Sequence, residues 1–526
     1  MGLEHYQLVN TAIPPNHYKS AEHEAFVMSK YAEEIELGRI SPGFPPEQLQ
    51  RWVGHIRTAP LNVIQQAPGK LRVTVDHSFP RSDIPLPTPP SDPSADFTPF
   101  DPAIHSVNAI IDSKKFQCTW GTFSQCYLIV ADAPIGARAA VCDVDAAFRN
   151  VPTHPSARPF LAVQIAGVVH LDHCLNFGAS PCPGVWGRIA DTIMEIYSAN
   201  GIQIIIKWVD DFVFFRYPAQ PPSLSSPNPS YSYDESDIWR VADSLGWPWA
   251  PKKCFPFAPQ FTYIGFLWDL EAKTVSLPDA KRTKYLAKLG QWLTTTFKPT
   301  CEEAESLIGT LNHVSLIIPA GRTHLIHLYR LRASFTNARH RWIRHKLTDT
   351  VLADIRWWSN TLQAPFVGMP GIRPPQPNND SLFVDASTTW GISLLLNGRW
   401  LAWRLRDGWN TEGRDIGWAK MVAVELALRS LVAAGRHDAH VIIHSDNQGV
   451  VHSVAAGRSR GCQQNTILRH IVHLIQLHKV WITTKWISTH DNPADPLSRG
   501  SLPTGDKRLA NRPALPTHLS PYLISV

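Results

Sequence analysis

"IIIKWVDDFVFFR", Ile204 to Arg216, sets two apolar runs around an adjacent pair of aspartates, Asp210 and Asp211. Runs this short and this rich in Ile, Val and Phe predict buried strands joined at a tight turn. Such a turn delivers two carboxylates side by side, where each raises the other's cost of ionisation. A divalent cation would offset that cost. A plain hairpin tip, where Asp is a common turn former, produces the same string. The rest of the chain has to separate the two.

At 526 residues the chain exceeds what one hydrophobic core organises, which predicts roughly three or four domains. Net charge is only +6, so any polyanion binding must come from local basic patches. The eight cysteines are scattered, with no C-x-x-C pair and no Cys/His tetrad at zinc spacing. "HLDHC", His170 to Cys174, lacks a partner cluster and reads as packing or turn chemistry. There is no charged-then-apolar amino-terminal signal and no apolar run long enough to span a bilayer. The expectation is a reduced intracellular protein of cytoplasm or nucleus, neither secreted nor on a membrane.

Composition divides the chain. Residues 1–60 are polar and loosely patterned, an amino-terminal extension. From about Leu61, strand-like runs alternate with Pro-rich turns, and the segment they form closes near residue 275. Inside it "YPAQPPSLSSPNPSYSYDES", Tyr217 to Ser236, reads as a flexible surface insertion. Residues 276–367 turn helical, with three- and four-residue apolar spacing in "LPDAKRTKYLAKLGQWL" and "LADIRWWSNTL". "GMPGIRPPQPNND", 368–380, is a Pro/Gly linker. Strands and helices alternate again over 381–500, and 501–526 reads as an unstructured tail.

Upstream of the Asp pair, "AAVCDVDAAFRNVP" reads as a strand delivering Asp143 at its end. "NFGASPCPGVWGRIADTIMEIY" is a Gly/Pro turn opening into a helix, and "GKLRVTVDHSFP" and "KKCFPFAPQFTYIGFLWD" flank the set. In this order the series resembles the reverse transcriptase palm, motif by motif from about Leu61 to Asp269. The resemblance implies that Asp143 and Asp210 bridge two Mg²⁺ (Mn²⁺ being an alternative), with Asp211 a supporting carboxylate. Two such ions roughly 4 Å apart would clamp the attacking 3′ oxygen and the leaving pyrophosphate. Mg²⁺ suits a few carboxylates from different strands, since it keeps several waters. By the same match Phe148 is the steric gate, and Phe177-Gly178 the template- and nucleotide-contacting loop. Lys253 is the lysine of the next motif, "YIGF" the primer grip, and Lys70 and Arg72 hold the triphosphate. Trp208 stands where Tyr or Phe is usual.

A second series follows the linker. "SLFVDASTTWGISLLLNGRWLAWRL" reads as three strands, the first ending in Asp385. "WAKMVAVELALRSLVAA" is a helix carrying Glu425, "HVIIHSDNQGVVHSV" a strand ending at Asp446, and "WISTHDNPADPLSRG" brings His490 and Asp495. Alone, each acid reads as a solvated residue or a helix cap. Together they resemble the ribonuclease H domain of retroelement polymerases. The match implies two Mg²⁺ on Asp385, Glu425, Asp446 and Asp495, cutting an RNA phosphodiester, with His490 a proton shuttle or product-release aid. Between the sites, the run from Arg322 to Lys346 contains Arg330, Arg332, Arg339, Arg341 and Arg344 and no acid. It is either a solvated helical face or a strip tracking phosphates of a hybrid duplex.

The expected fold is therefore multidomain α/β (α+β), a right-hand polymerase of fingers, palm and thumb followed by a connection and a ribonuclease H-like mixed-sheet domain. The expected function is an RNA-directed DNA polymerase with associated ribonuclease H, acting on RNA template, DNA primer, dNTPs and the RNA–DNA hybrid. "NPADPLSRG" and "SVN" at Ser106 to Asn108 look closest to tyrosine-recombinase (DIRS-type) retrotransposons. No protease signature, zinc knuckle, integrase segment or recombinase accompanies the two series, which suggests an excised polymerase unit or a genomic remnant. The rival reading is an inert nucleic-acid-binding descendant of such an enzyme.

Overall fold

A computed structural model describes residues 2–67, 69–86, 97–220, 229–336, 342–503 and 507–526. The chain is a mixed α/β protein that divides into two compact units, residues 1–126 with 134–264, and 127–133 with 265–526. Among the described residues, no helix is long and apolar enough to cross a membrane.

The first unit begins with helices α1 (Ala21–Glu36) and α2 (Pro46–Val53), then a hairpin of β1 (Leu61–Ala67) and β2 (Lys70–Val75). The two helices correct the expectation of a loose extension. Val27 of α1 packs with Leu61 and Val63 of the hairpin, and Leu49 of α2 with Ile56 and Val169. The apolar residues involved are few and widely spaced, so their face is not visible as a run.

The centre of the unit is β3 (Arg138–Asp143), α3 (Cys182–Ala199), β4 (Ile204–Trp208), β5 (Asp211–Arg216), α4 (Glu235–Leu245) and β6 (Phe255–Ala258). The four strands form an antiparallel sheet in the order β6-β3-β5-β4, so the element order is β-α-β-β-α-β. The apolar run in β5 is buried throughout its middle, Phe212 to Phe215. Trp186 and Tyr197 of α3 and Ile238 and Val241 of α4 complete that core with Trp249. Burial on both faces explains the near-continuous hydrophobic string in the sequence.

The stretch after β5 differs from the flexible insertion expected of Tyr217 to Ser236. Its arms are tied down: Ala219 N donates to Ser230 O at 2.9 Å, and Tyr233 Oη donates to Phe215 O at 2.6 Å. The Arg216 guanidinium lies between the Tyr231 and Phe257 rings, at 4.0 and 4.1 Å from their centroids. Residues 221–228 lie outside the described residues. In "HLDHC", His170 Nδ1 meets Ser41 O at 3.0 Å and Asp172 pairs with Arg149, which is packing chemistry.

The second unit opens with an antiparallel ladder of β7 (Phe266–Asp269), β8 (Thr274–Ser276) and β9 (Gly368–Pro370). The start of the Pro/Gly segment is thus a strand. Between β8 and β9 run α5 (Asp279–Trp292), α6 (Cys301–Val314), α7 (Ile326–Ala333) and α8 (Asp349–Leu362). Then follow β10 (Leu382–Ala386), β11 (Gly391–Leu396), β12 (Arg399–Leu405), α9 (Ile416–Ala433), β13 (His440–Ser445), α10 (Gln448–Ala456), α11 (Cys462–His478), β14 (Trp481–Trp486) and β15 (Leu523–Ser525). Their six-stranded sheet has the order β14-β13-β10-β11-β12-β15, with β10, β13 and β14 parallel. Asp354 of α8, 2% exposed, accepts from His324, His327 and Arg469 at 3.1, 2.7 and 2.9 Å, tying the helical segment to α11.

The carboxyl-terminal segment is also a correction. β15 pairs antiparallel with β12, and Leu519 and Leu523 lie in the sheet's core at 0% and 1% exposure. Residues 504–506 lie outside the described residues.

Candidate active sites

Asp143 ends β3 and stands opposite Asp211 in the β3–β5 register. Asp210 precedes Asp211 in the turn between β4 and β5. The turn is held against its own preference: Val209 adopts φ +55°, and a β-branched side chain is strained there. Trp186, 1% exposed, donates its Nε1–H to Val209 O at 2.7 Å, and Val144 N donates to Asp210 O at 2.9 Å. The tip is clamped from the helix behind it and from the strand beside it. Trp208 is partly exposed and leans on Trp120, ring centroids 6.3 Å apart.

Burial, and after it the charge of Asp143, pushes the Asp210 carboxyl above its ordinary range. Asp211 is pushed up to about 6 by burial and by the charges of Asp210 and Asp143. Lys253 Nζ donates to Asp143 Oδ1 at 2.7 Å, a bond that holds its ammonium above the usual lysine value. Its side chain is 61% exposed and free to withdraw. The charge of Arg72 reaches Asp210 and opposes its rise. Asp143 from one strand and Asp210–Asp211 from the start of its neighbour are hard oxygen donors of the kind Mg²⁺ takes, and burial with the neighbouring carboxylates disfavours ionisation of Asp210 and Asp211.

Next to the carboxylates Phe148 is 6% exposed, under Phe177 with centroids 5.0 Å apart and edge-on to Trp186. Phe177 is itself exposed, and the Arg72 guanidinium lies 4.8 Å over its ring. Arg149, beside Phe148, fixes that turn through Glu34 at 2.7 Å and Asp172 at 2.8 Å. Gly178 has φ +112°, and a Cβ there would come within 2.0 Å of Val75 O, so no other residue fits. Asn108, the last residue of "SVN", donates to Gly178 O and accepts from Ser180 N, both at 2.8 Å. The sequence reading missed Asn108, Arg149 and Trp186 as parts of this site. Lys70 is exposed at the start of β2, with no contact to the carboxylates among the described hydrogen bonds.

The second site brings together Asp385 at the end region of β10 and Asp446 just after β13, on neighbouring parallel strands. It does not bring Glu425 to them. The group between the two aspartates is Lys420, whose Nζ donates to Asp385 Oδ1 at 2.8 Å and Asp446 Oδ1 at 2.5 Å. Burial works against its charge, but these two hydrogen bonds hold the ammonium above the usual lysine value. Ser498 Oγ and Thr489 Oγ1 donate to the other oxygens of Asp385 and Asp446, at 2.5 and 2.9 Å. Asp495 is held by Arg499 at 2.9 Å, which lowers its pKa, and His490 is 98% exposed beside Asp491.

Glu425 lies five residues beyond Lys420, a rotation of roughly 140° about the helix axis. It is fully buried on the far side, paired with Arg429 at 2.7 Å and with His518 at 3.1 Å. The expected four-carboxylate cluster is therefore not assembled. With its central space taken by an ammonium, the second site does not fit Mg²⁺.

The basic run is also divided. Arg332 and Arg344 are engaged by Glu305 and Glu303, at 3.1 and 3.2 Å. Arg322 and Arg330 instead line a cleft with Tyr329, His452, Arg458 and Arg460. Arg339 and Arg341 lie outside the described residues.

No family model and no curated protein matches the chain in sequence. Among solved structures it is similar to the foamy viral protease–reverse transcriptase. The dRH form in complex with double-stranded DNA aligns at TM-score 0.48 and 14% identity, over 93% of this chain and 73% of that one. The complex with an RNA/DNA hybrid gives 0.48 and 14% over 96% and 58%. A complex with double-stranded DNA gives 0.46 and 12% over 92% and 89%.

Proposed function

We propose that the first unit is an RNA-directed DNA polymerase, extending a DNA primer on an RNA template with dNTPs. The observation that supports this reading is the convergence of Asp143, Asp210 and Asp211 from two strands at one end of the sheet. Asp143 and Asp210 would hold Mg²⁺, with Asp211 in support. The bound ions would neutralise the phosphates and activate the 3′ oxygen for attack on the α-phosphate. Lys253, drawn off Asp143, is free to meet a phosphate. Arg72 lies within electrostatic reach of Asp210, where a triphosphate's charge would fall. The Phe148 ring, fixed by Phe177 and Arg149, would close the space a ribose 2′-hydroxyl needs.

The cleft with Arg322, Arg330, Arg458 and Arg460 offers phosphate contacts that read shape rather than sequence. The finer assignment to DIRS-type retrotransposons rests on "NPADPLSRG" and "SVN" alone. We do not extend the proposal to hydrolysis by the second unit, where Lys420 stands between Asp385 and Asp446. That lysine also favours a second reading, an inert nucleic-acid-binding descendant. Primer extension on an RNA template separates the two: Mg²⁺-dependent, template-encoded products support the polymerase, and none in Mg²⁺ or Mn²⁺ supports the inert binder.

A further inference from the structure

We propose that Lys420 is a permanent counter-ion of Asp385 and Asp446, and that the second unit consequently holds no divalent cation there and cuts no RNA. The inference stands on the second unit alone and is independent of the polymerase reading. Three observations carry it.

The first is occupancy of space. One ammonium sits within hydrogen-bond distance of an oxygen from each aspartate. A Mg²⁺ shared by those oxygens, at roughly 2.0–2.1 Å from each, would have to take the same volume.

The second is enclosure. The Lys420 side chain is 12% exposed and those of Asp385 and Asp446 are 2% and 3% exposed. Lys253 in the first site can swing into solvent; Lys420 cannot do so without leaving two buried carboxylates unpaired, a heavily disfavoured state.

The third is charge. Of the remaining ligands that the sequence suggested, Glu425 is committed on the far side of its helix to Arg429 and His518, and Asp495 carries its own counter-ion, Arg499. Two carboxylates and an ammonium leave a single net negative charge, against three carboxylates and a withdrawable amine at the first site. The remaining oxygens of Asp385 and Asp446 are satisfied by Ser498 and Thr489, so no donor is left waiting.

The test uses the full chain. Mn²⁺ binding is followed by loss of the free-ion electron paramagnetic resonance signal in an Asp210→Asn background, which weakens the first site. RNA release is followed from an end-labelled RNA–DNA hybrid. The expected result is hybrid cleavage by the wild type no greater than by Asp446→Asn, and no Mn²⁺ binding that Asp446→Asn removes. Adding Lys420→Glu should tighten Mn²⁺ at this site by at least about tenfold, and Asp446→Asn should abolish the gain. Should Lys420→Glu fail to fold, the shorter and neutral Lys420→Gln gives the same readout. Wild-type cleavage lost in Asp446→Asn but kept in Asp210→Asn would overturn the proposal. So would a folded Lys420 variant that gains no ion.

Discussion

Phe148 is a core ring to which the proposed function also gives a task. It belongs to the core of the first unit and is also the side chain under Phe177, next to Asp143. If it excludes the 2′-hydroxyl, Phe148→Ala should raise ribonucleotide incorporation relative to deoxynucleotide while the protein stays folded. If it is packing alone, the loss is about 3–5 kcal/mol of stability with both sugars affected alike. Single-nucleotide extension with each sugar, beside a thermal melt, distinguishes them. Asp211 gives a second test at this scale. Its folded pKa is raised to about 6, so it contributes stability that is full below its unfolded value and lost as pH rises through about 6. In EDTA the wild type should lose stability over that window relative to Asp211→Asn, and Mg²⁺ should restore it above the window. Parallel pH profiles for the two proteins would contradict the raised Asp211 carboxyl, and a wild type that Mg²⁺ does not restore would remove Asp211 from the ion site. The carboxylates of this site were legible because strand, turn and acid coincide within a few residues. Lys420 was not. Glu425 has the expected side-chain type, but only helix register, fixed by the Asp415 cap, reveals that it faces away.

At the scale of elements, the strands that carry Asp143, Asp211, Asp385 and Asp446 and their hairpin partners were readable from their apolar runs, and α5 and α8 from their three- and four-residue spacing. The amino-terminal helices and the closing strand were not. β15 is three residues long, and its partner β12 lies more than a hundred positions earlier, so no local pattern announces it. Its Leu523 is nonetheless 1% exposed within the sheet's core. Leu523→Ala should cost about 2–5 kcal/mol, as for a core leucine. An unchanged melting temperature would return 507–526 to the status of a loose tail. The arms of the insertion escaped notice for a related reason. Arg216, Tyr231 and Phe257 form their stack across separate elements, and Pro- and Ser-rich composition masks it.

Across the whole molecule, two sheets each bring a pair of aspartates to adjacent strand ends, and the chemistry differs by what stands between them. The first has Lys253 at an exposed edge and a third carboxylate; the second has an enclosed Lys420. The sequence reading expected two Mg²⁺ at each, because the acids stood in the order that each of the two resemblances requires. The central claim is that the first site, and it alone, is built for metal-dependent nucleotide addition. The most direct measurement is the rate of single-deoxynucleotide addition to a primed RNA template in Mg²⁺ by the wild type, Asp210→Asn and Asp446→Asn. The account predicts loss of addition in Asp210→Asn, with the fold kept, and near wild-type addition in Asp446→Asn. Addition by Asp210→Asn at the wild-type rate would contradict it.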